Sequence, residues 1–473
     1  MKKGKITKIG TALFVVLLFV GFAFAFSRGF FDPLSEWREE GEQLSGGETT
    51  VFNTSVNAFG EAAPNLTGNK DLFFVTGNAF FKRNWVTAPA STEDLDGLGP
   101  LFNARSCSSC HNLDGKGAPP ESPDEHPVDL LFRLSRPAPD SIRTIPDENY
   151  GRQFNHLSVL GVEPEGEVQV TYNEISGEYP DGMSYTLREP VYEFKNLKYG
   201  AFPDDIMISP RIAQHLVGLG LLEAIDEETL KSLADPDDSD GDGISGKLNY
   251  VYDYASEELK VGRFGWKANQ PSVRQQTAVA FREDIGITSE LFPDELCAEF
   301  QTECKEARSG GDPELTEDIL DRVALYMETI AVPARRNWDE PDVLKGKRAF
   351  HTIGCASCHV PKLQTGEHPE HPEFSNQIIY PYTDLLLHDM GEGLADNALD
   401  AEATGTEWRT PPLWGIGLVE TVSGHTYFLH DGRARNLEEA ILWHGGEAEQ
   451  SQQNFKQLSK EERDNLIKFL NSL

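Results

Sequence analysis

The feature that most constrains this chain is a five-residue pattern that occurs twice, as Cys107-Ser108-Ser109-Cys110-His111 and as Cys355-Ala356-Ser357-Cys358-His359. This is the CxxCH pattern of covalent haem attachment. Each cysteine can form a thioether to a haem vinyl group, and the histidine is then held beneath the iron as its proximal ligand. A zinc site would need a second CxxC or a histidine pair near each copy, and neither is present. A reducible CxxC pair is the other alternative. The repeated pattern takes four of the six cysteines, and it predicts two covalently bound haem c groups, with His111 and His359 on the irons.

The first residues, MKKGKITKIGTALFVVLLFVGFAFAFSRG, place four lysines ahead of an uncharged run from Ile9 to Phe26, with Ala23-Phe24-Ala25 as a small-x-small cleavage site. This reads as an export signal. The run is nearly long enough to span a bilayer as an uncleaved anchor, and no cysteine follows it to form a lipoprotein anchor. A periplasmic or exported location, released or tethered to the inner membrane, agrees with covalent haem attachment, which bacteria carry out outside the cytoplasmic membrane. The two remaining cysteines, Cys297 and Cys304, predict a short local disulfide that suits an oxidising compartment.

Charge narrows the partners. The 42 basic and 77 acidic side chains leave a formal net charge of −35, which makes nucleic acid and anionic lipid surfaces poor partners. A negative surface suits the steering of a basic redox protein such as a small cytochrome. It equally serves solubility.

In chain order, residues 1–26 read as a signal peptide or membrane anchor and 27–69 as a linker or N-terminal extension. Residues 70–336 read as an N-terminal haem domain with a calcium-like loop, and 337–473 as a C-terminal domain resembling a class I cytochrome c. The expected fold class is mainly α: two cytochrome c-like haem domains with irregular loops and short β-hairpin insertions, the hairpins near Gly166–Tyr172 and Tyr185–Phe194. Ile212–Ile225 reads as an amphipathic helix, and Thr316–Ile330 as another that Pro333 ends. Ser459, with Glu462 three residues on, predicts a capping box for the closing helix.

Further candidate ligands follow from local pattern. Asp238, Asp240 and Asp242 occupy positions one, three and five of a calcium loop, with Gly243 at the turn, but Asn249 replaces the bidentate Glu at position twelve. A solvated acidic turn is the alternative. In the C-terminal part, His388 or Met390, and then His430 or His444, are candidate iron ligands. Asn436 and Glu439 can cap a short helix on which Ala440, Ile441 and His444 share a face, pointing His444 inward. The N-terminal haem has no obvious sixth ligand apart from His156, His215, Met183 and Met207.

The stretches GLGPLFNARSCSSCHNLDGKG, DSDGDGISG, GRFGWKANQPSVRQQTAVAFREDIGITSELFP, METIAVPARR, LLLHDMGEGLAD, EWRTPPLWGIGL and LHDGRARNLEEAILWHGGEA together resemble the di-haem oxidoreductase family, also labelled thiol oxidoreductases. The resemblance runs from about Asn69 to the C-terminus, and is more distant to the bacterial di-haem cytochrome c peroxidases and to the di-haem enzyme that matures a tryptophan-derived quinone cofactor. It implies that the N-terminal haem is the reaction site and that the C-terminal haem relays electrons from a partner. It points to His444 as sixth ligand of the relay haem, with Met390 as runner-up and His430 supporting a propionate or the turn. It also implies that Trp266 bridges the haems and that Asp284, after the Gln276 helix, is the distal acid-base. The peroxidases carry a Glu there, so the shorter carboxylate is a departure, and the acidic loop is not their calcium site.

Together these expectations describe an exported di-haem c-type oxidoreductase of peroxidase-like type, acting on a small oxidant or thiol-type substrate. A di-haem electron carrier without catalysis and a di-haem oxygenase are the alternatives. An enzyme needs one iron with an open sixth position.

Overall fold

The Thr316 side chain accepts the N–H of Ile319 and starts the helix Glu317–Glu328, satisfying an amide that a helix start leaves unpaired. Ile319, Leu320, Val323, Ala324, Tyr326 and Met327 are buried along it, at the three- and four-residue spacing of one apolar face. That face packs on the helix Lys70–Lys82, which buries Phe74, Gly77 and Phe81. A Cβ at Gly77 would stand 2.0 Å from the Arg322 carbonyl oxygen, so only glycine permits the helices to cross this closely. Phe74 and Phe81 lie 4.8 and 5.3 Å from the Tyr326 ring. Tyr326 in turn donates its hydroxyl to Asp114, at 2.5 Å, which fixes the chain just past the first CxxCH.

The second motif is held the same way. Pro341–Thr352 leads into it with Pro at its first turn, and it crosses the closing helix Lys460–Leu470 at Gly346, where a Cβ would stand 2.0 Å from the Asn465 carbonyl oxygen. The closing helix starts with the expected capping box of Ser459 and Glu462.

The computed structural model describes residues 34–92, 95–138 and 144–473. The signal or anchor expected at 1–26 lies outside them, and among the described residues no helix is long and apolar enough to cross a membrane. The expectation of a mainly α protein is overturned: among the described residues 28% are helical and 18% are in strands, spread over many small sheets. The largest strand pair is the hairpin of Glu167–Glu178 and Ser184–Lys195, in register from Glu167 opposite Lys195 to Glu178 opposite Ser184. Leu130–Pro137 pairs antiparallel with Met207–Ile212. That second strand takes the start of the stretch expected to be an amphipathic helix, and only Leu219–Glu223 within it is helical. Elsewhere two- and three-residue strands pair across long separations, such as Thr50–Val51 with Val332–Pro333 and Leu387–Asp389 with Glu407–Arg409. Strands this short carry too few residues to show a period of two, so the helical segments dominated the sequence pattern.

Several contacts join the two halves. At the hairpin tip Tyr179 donates to Glu438, at 2.6 Å, and Asp181 pairs with Arg463, at 2.7 Å. Arg188 donates to the carbonyls of Arg433 and Gly432, at 3.0 and 3.1 Å. In the 27–69 segment, Phe59 is wholly buried, and the buried Glu42 carboxylate pairs with Arg335, at 2.6 Å, and with Lys347. Between the halves, Lys267 and Asp396 form an ion pair at 2.7 Å with both side chains fully buried. The Lys267 ammonium also donates to the carbonyls of Ala398 and Thr404, both at 2.8 Å, so all three of its protons are used.

Candidate functional site

Both CxxCH motifs open on one continuous cavity, lined by Cys107, Cys110 and His111 and by Cys355, Cys358 and His359. All four cysteines are free thiols, whereas Cys297 and Cys304 are bonded to each other. Burial pushes the Cys107 and Cys355 thiols up to about 12, so they are protonated at neutral pH and poor nucleophiles.

Three histidines in the cavity share one geometry. His111 Nδ1 lies 2.7 Å from the Gln214 carbonyl, His359 Nδ1 3.0 Å from that of Tyr382, and His444 Nδ1 2.7 Å from that of Ala440. A carbonyl accepts only from an N–H, so each Nδ1 carries the proton and each Nε2 keeps its lone pair, the tautomer that metal ligation requires. Burial lowers His111 and His359 to about 4, His444 being a further cause for His359, and burial also lowers His444. All three imidazoles are neutral at physiological pH. His444 follows the helix Leu437–Leu442, which Asn436 caps by accepting from the Glu439 N–H, and Ala440, Ile441 and His444 all face the cavity.

The other C-terminal candidates are placed differently. His388 has both nitrogens engaged, Nδ1 at 2.7 Å from Glu447 and Nε2 at 2.9 Å from Asp384. Burial opposes its charge, but the hydrogen bonds to Asp384, Cys358 and Glu447 override this and push it up to about 12. It is therefore an imidazolium with no lone pair for a metal, although Cys358, Asp384 and His388 present atoms within 4.8 Å of one another. Met390 lines the cavity. His430 stacks on Trp408 at 3.9 Å, donates through Nδ1 to the Pro210 carbonyl at 2.9 Å, and leaves a buried Nε2 without a partner among the described residues.

Around the first motif the cavity wall is charged. The helix Val273–Ala280 runs into a wider π-helical turn, Phe281–Ile285, a local irregularity often found at functional sites. Asp284 on this turn lines the cavity. Its Oδ1 accepts from Gln153 Nε2 at 2.9 Å and lies 3.8 Å from Arg133, while the neighbouring Glu283 pairs with Arg133. Burial raises the Asp284 pKa against the opposing effects of Arg133 and Gln153. The Asp284 carbonyl accepts from the N–H groups of Asn103 and Ala104, at 2.9 and 3.0 Å, tying the acid to the chain entering the first CxxCH. Gln276 also lines the cavity. Of the four candidate sixth ligands for this end, only His215 reaches the cavity, beside Phe59 at 5.4 Å.

Trp266 also lines the cavity. Its Nε1–H donates to the Ile212 carbonyl at 2.8 Å, its own carbonyl accepts from the Arg409 N–H at 2.9 Å, and Lys116 Nζ lies 4.8 Å from its ring. At the acidic loop, Asp235, Asp238 and Asp240 bring oxygens within 4.8 Å of one another. Asp242 instead accepts from the Ile244 N–H at 2.9 Å, and the Asn249 amide is spent on Lys267, Asp400 and Glu402. The twelfth position therefore does not reach the loop.

Arg133, Gln153, Lys116, Arg409 and Lys267 were not foreseen from the sequence. Arg133 had a signal: in Leu130–Pro137 burial alternates, with Leu130, Phe132 and Leu134 in the core, so Leu131 and Arg133 face the other side. The others are placed by residues far away in the chain.

The fold and cavity are those of a protein with two equivalent cofactor motifs facing one interior space. The model of the family described as "Di-haem oxidoreductase, putative peroxidase" matches residues 41–133 and 139–473. The chain belongs to this family, whose cofactors are two haems, and it is an oxidoreductase. No curated protein matches it. The residues present fit these groups: two free thiol pairs and three neutral imidazoles with Nε2 lone pairs face the cavity, and the buried Gln214 Nε2 donor lacks an acceptor among the described residues.

Proposed function

We propose that the protein is an exported di-haem c-type oxidoreductase of peroxidase-like type. Cys107 and Cys110 hold one haem covalently with His111 beneath its iron, and Cys355 and Cys358 hold the other with His359. His444 is the sixth ligand of the C-terminal haem, which receives electrons from a redox partner protein such as a small cytochrome. The electrons pass by way of Trp266 and are used at the N-terminal haem.

One observation carries this reading: the two proximal histidines have different company. Each lies near a second neutral imidazole, His359 near His444 and His111 near His215, but the cavity near the first motif also presents the carboxyl of Asp284, held by Gln153 and Arg133. A haem held by Cys107, Cys110 and His111 would supply the redox chemistry for breaking an O–O bond. Asp284 takes the proton from one peroxide oxygen and returns it to the other, as a general acid-base does. The raised pKa brings this acid nearer the working pH, and Arg133 stabilises the negative charge that builds up as the bond opens. Gln153 fixes the carboxylate's orientation.

Electron paramagnetic resonance of the oxidised protein, with haem content from the pyridine haemochrome, tests the assignment. One high-spin and one low-spin bis-histidine signal in equal amounts are expected. Two low-spin signals that persist after partial reduction would make the protein an electron carrier.

A further inference from the structure

Besides the histidines, one lysine and three arginines, Lys116, Arg133, Arg211 and Arg409, line the cavity. Two of them are neutralised by the protein: Arg133 pairs with Glu283, and Arg211 with Asp400 at 2.8 Å. The other two are not. Lys116 is 8% exposed, and its Nζ has no hydrogen-bond or ion-pair partner among the described residues. It stands over the Trp266 ring, 4.8 Å from the centroid. Arg409 is 4% exposed and donates only to neutral oxygens: Gly265 at 2.8 Å, Gln214 Oε1 at 3.1 Å and Thr410 at 3.4 Å. Among the described residues it has no ion-pair partner.

Burying a cation without a bonded counter-ion is costly, and burial lowers Lys116 to about 7 and Arg409 to about 10, outweighing the more remote carboxylates of Asp431 and Asp384 respectively. Neither cation has a carboxylate within pairing distance among the described residues, and both therefore have room for an anion in direct contact. A third observation points the same way. Gln214, whose carbonyl accepts from the proximal His111 and whose Oε1 accepts from Arg409, leaves its buried Nε2 without any acceptor. Lys116 stands over the Trp266 ring, Arg409 donates to the Trp266 and Gly265 carbonyls, and Gln214 is bonded to Arg409.

We propose that Lys116 and Arg409 bind haem propionate carboxylates beside Trp266, at the junction of the two haem sites, with Gln214 Nε2 donating to the same group. This rests on the di-haem reading of the cavity. Lys116 and Arg409 are positioning residues: they complete the charge balance that haem insertion requires, and they hold positive charge next to the inter-haem indole. A cation close to a haem favours the reduced iron, because the ferric form carries one more positive charge.

The test is a potentiometric titration of the full-length holoprotein and its Lys116→Met, Lys116→Arg and Arg409→Met variants, with haem content determined for each. Lys116→Met and Arg409→Met are expected to shift the reduction equilibrium of at least one haem about tenfold toward the ferric form, a fall of ~59 mV for one electron. Lys116→Arg should keep the wild-type potential. Unchanged potentials in both Met variants, with two haems in place, would overturn the proposal, as would an equal fall in Lys116→Arg. If Lys116→Met gives no holoprotein, Lys116→Gln beside Lys116→Arg decides: haem retained only with Arg supports propionate binding, and haem retained or lost equally in both overturns it. Peroxide turnover measured on the same wild-type preparation separates the two readings, because its absence removes the peroxidase assignment and leaves the potentials to judge the anchors.

Discussion

Ahead of the first CxxCH the helix Lys70–Lys82 crosses Glu317–Glu328 at Gly77, and ahead of the second Pro341–Thr352 crosses Lys460–Leu470 at Gly346. In both places a Cβ would collide with a carbonyl 2.0 Å away, and in both the histidine of the motif gives its Nδ1 proton to a backbone oxygen. The scaffolds match, and the surroundings do not. The C-terminal end has a third imidazole and an imidazolium clamped between two carboxylates. The N-terminal end has a buried acid beside an arginine. The motif and its helix pair fix where a haem sits, and the side chains added around it decide what that haem can do.

Four changes would break or sharpen this contrast. The largest effect is expected for Asp284→Asn, which removes the proton carrier at one end only. Peroxide turnover should fall about 10²- to 10⁴-fold, with the absorption spectra of both haems unchanged; retained turnover would erase the distinction between the ends. Lys267→Met acts on the joint between them. It leaves Asp396 as a buried, uncompensated charge, which costs about 3–5 kcal/mol, visible as a lower denaturation midpoint. His444→Met should make the C-terminal haem resemble a His/Met cytochrome and raise its potential without moving the other haem; equal movement of both would show that His444 does not belong to one centre. The smallest effect concerns pH. Burial, then the nearby Glu328, raises Glu223 to about 7 from its ordinary 4.5, so the folded state holds this proton more tightly than the unfolded one. Its contribution to stability is complete below pH 4.5 and is lost as pH rises toward 7. Glu223→Gln should flatten the stability profile across that window, as followed by thermal unfolding at a series of pH values.

Much of the site could be read from the sequence because its key groups are local. Each CxxCH is five consecutive residues, and the Cys297–Cys304 pair closes over a separation of 7. Ser459 with Glu462, and Asn436 with Glu439, are three residues apart, within the reach of a capping pattern. What escaped is non-local. Lys267 meets Asp396 across 129 residues, and Arg409 meets Gln214 across 195; no spacing rule connects such pairs. The same reason defeated the mainly α expectation, since strands of two or three residues gain their partners only once the fold exists. His388 shows a different limit. As a residue type it is a fair iron ligand, and only the positions of Asp384 and Glu447 reveal that both its nitrogens are taken.

The hairpin between Glu167 and Lys195 also has a consequence for how the molecule is made. Its tip residue Tyr179 finds Glu438 259 residues later, and Asp181 finds Arg463 282 residues later. At ribosomal speed this interval is on the order of ten seconds to a minute. Throughout it the base of the hairpin can pack on Phe132, Pro120 and Pro123 of the first half, while its tip has neither Glu438 nor Arg463 to bond. Residues 438–463 include both partners of the tip, so a chain cut short before residue 438 would keep both haem motifs and lose the latch that joins the arm to the second half.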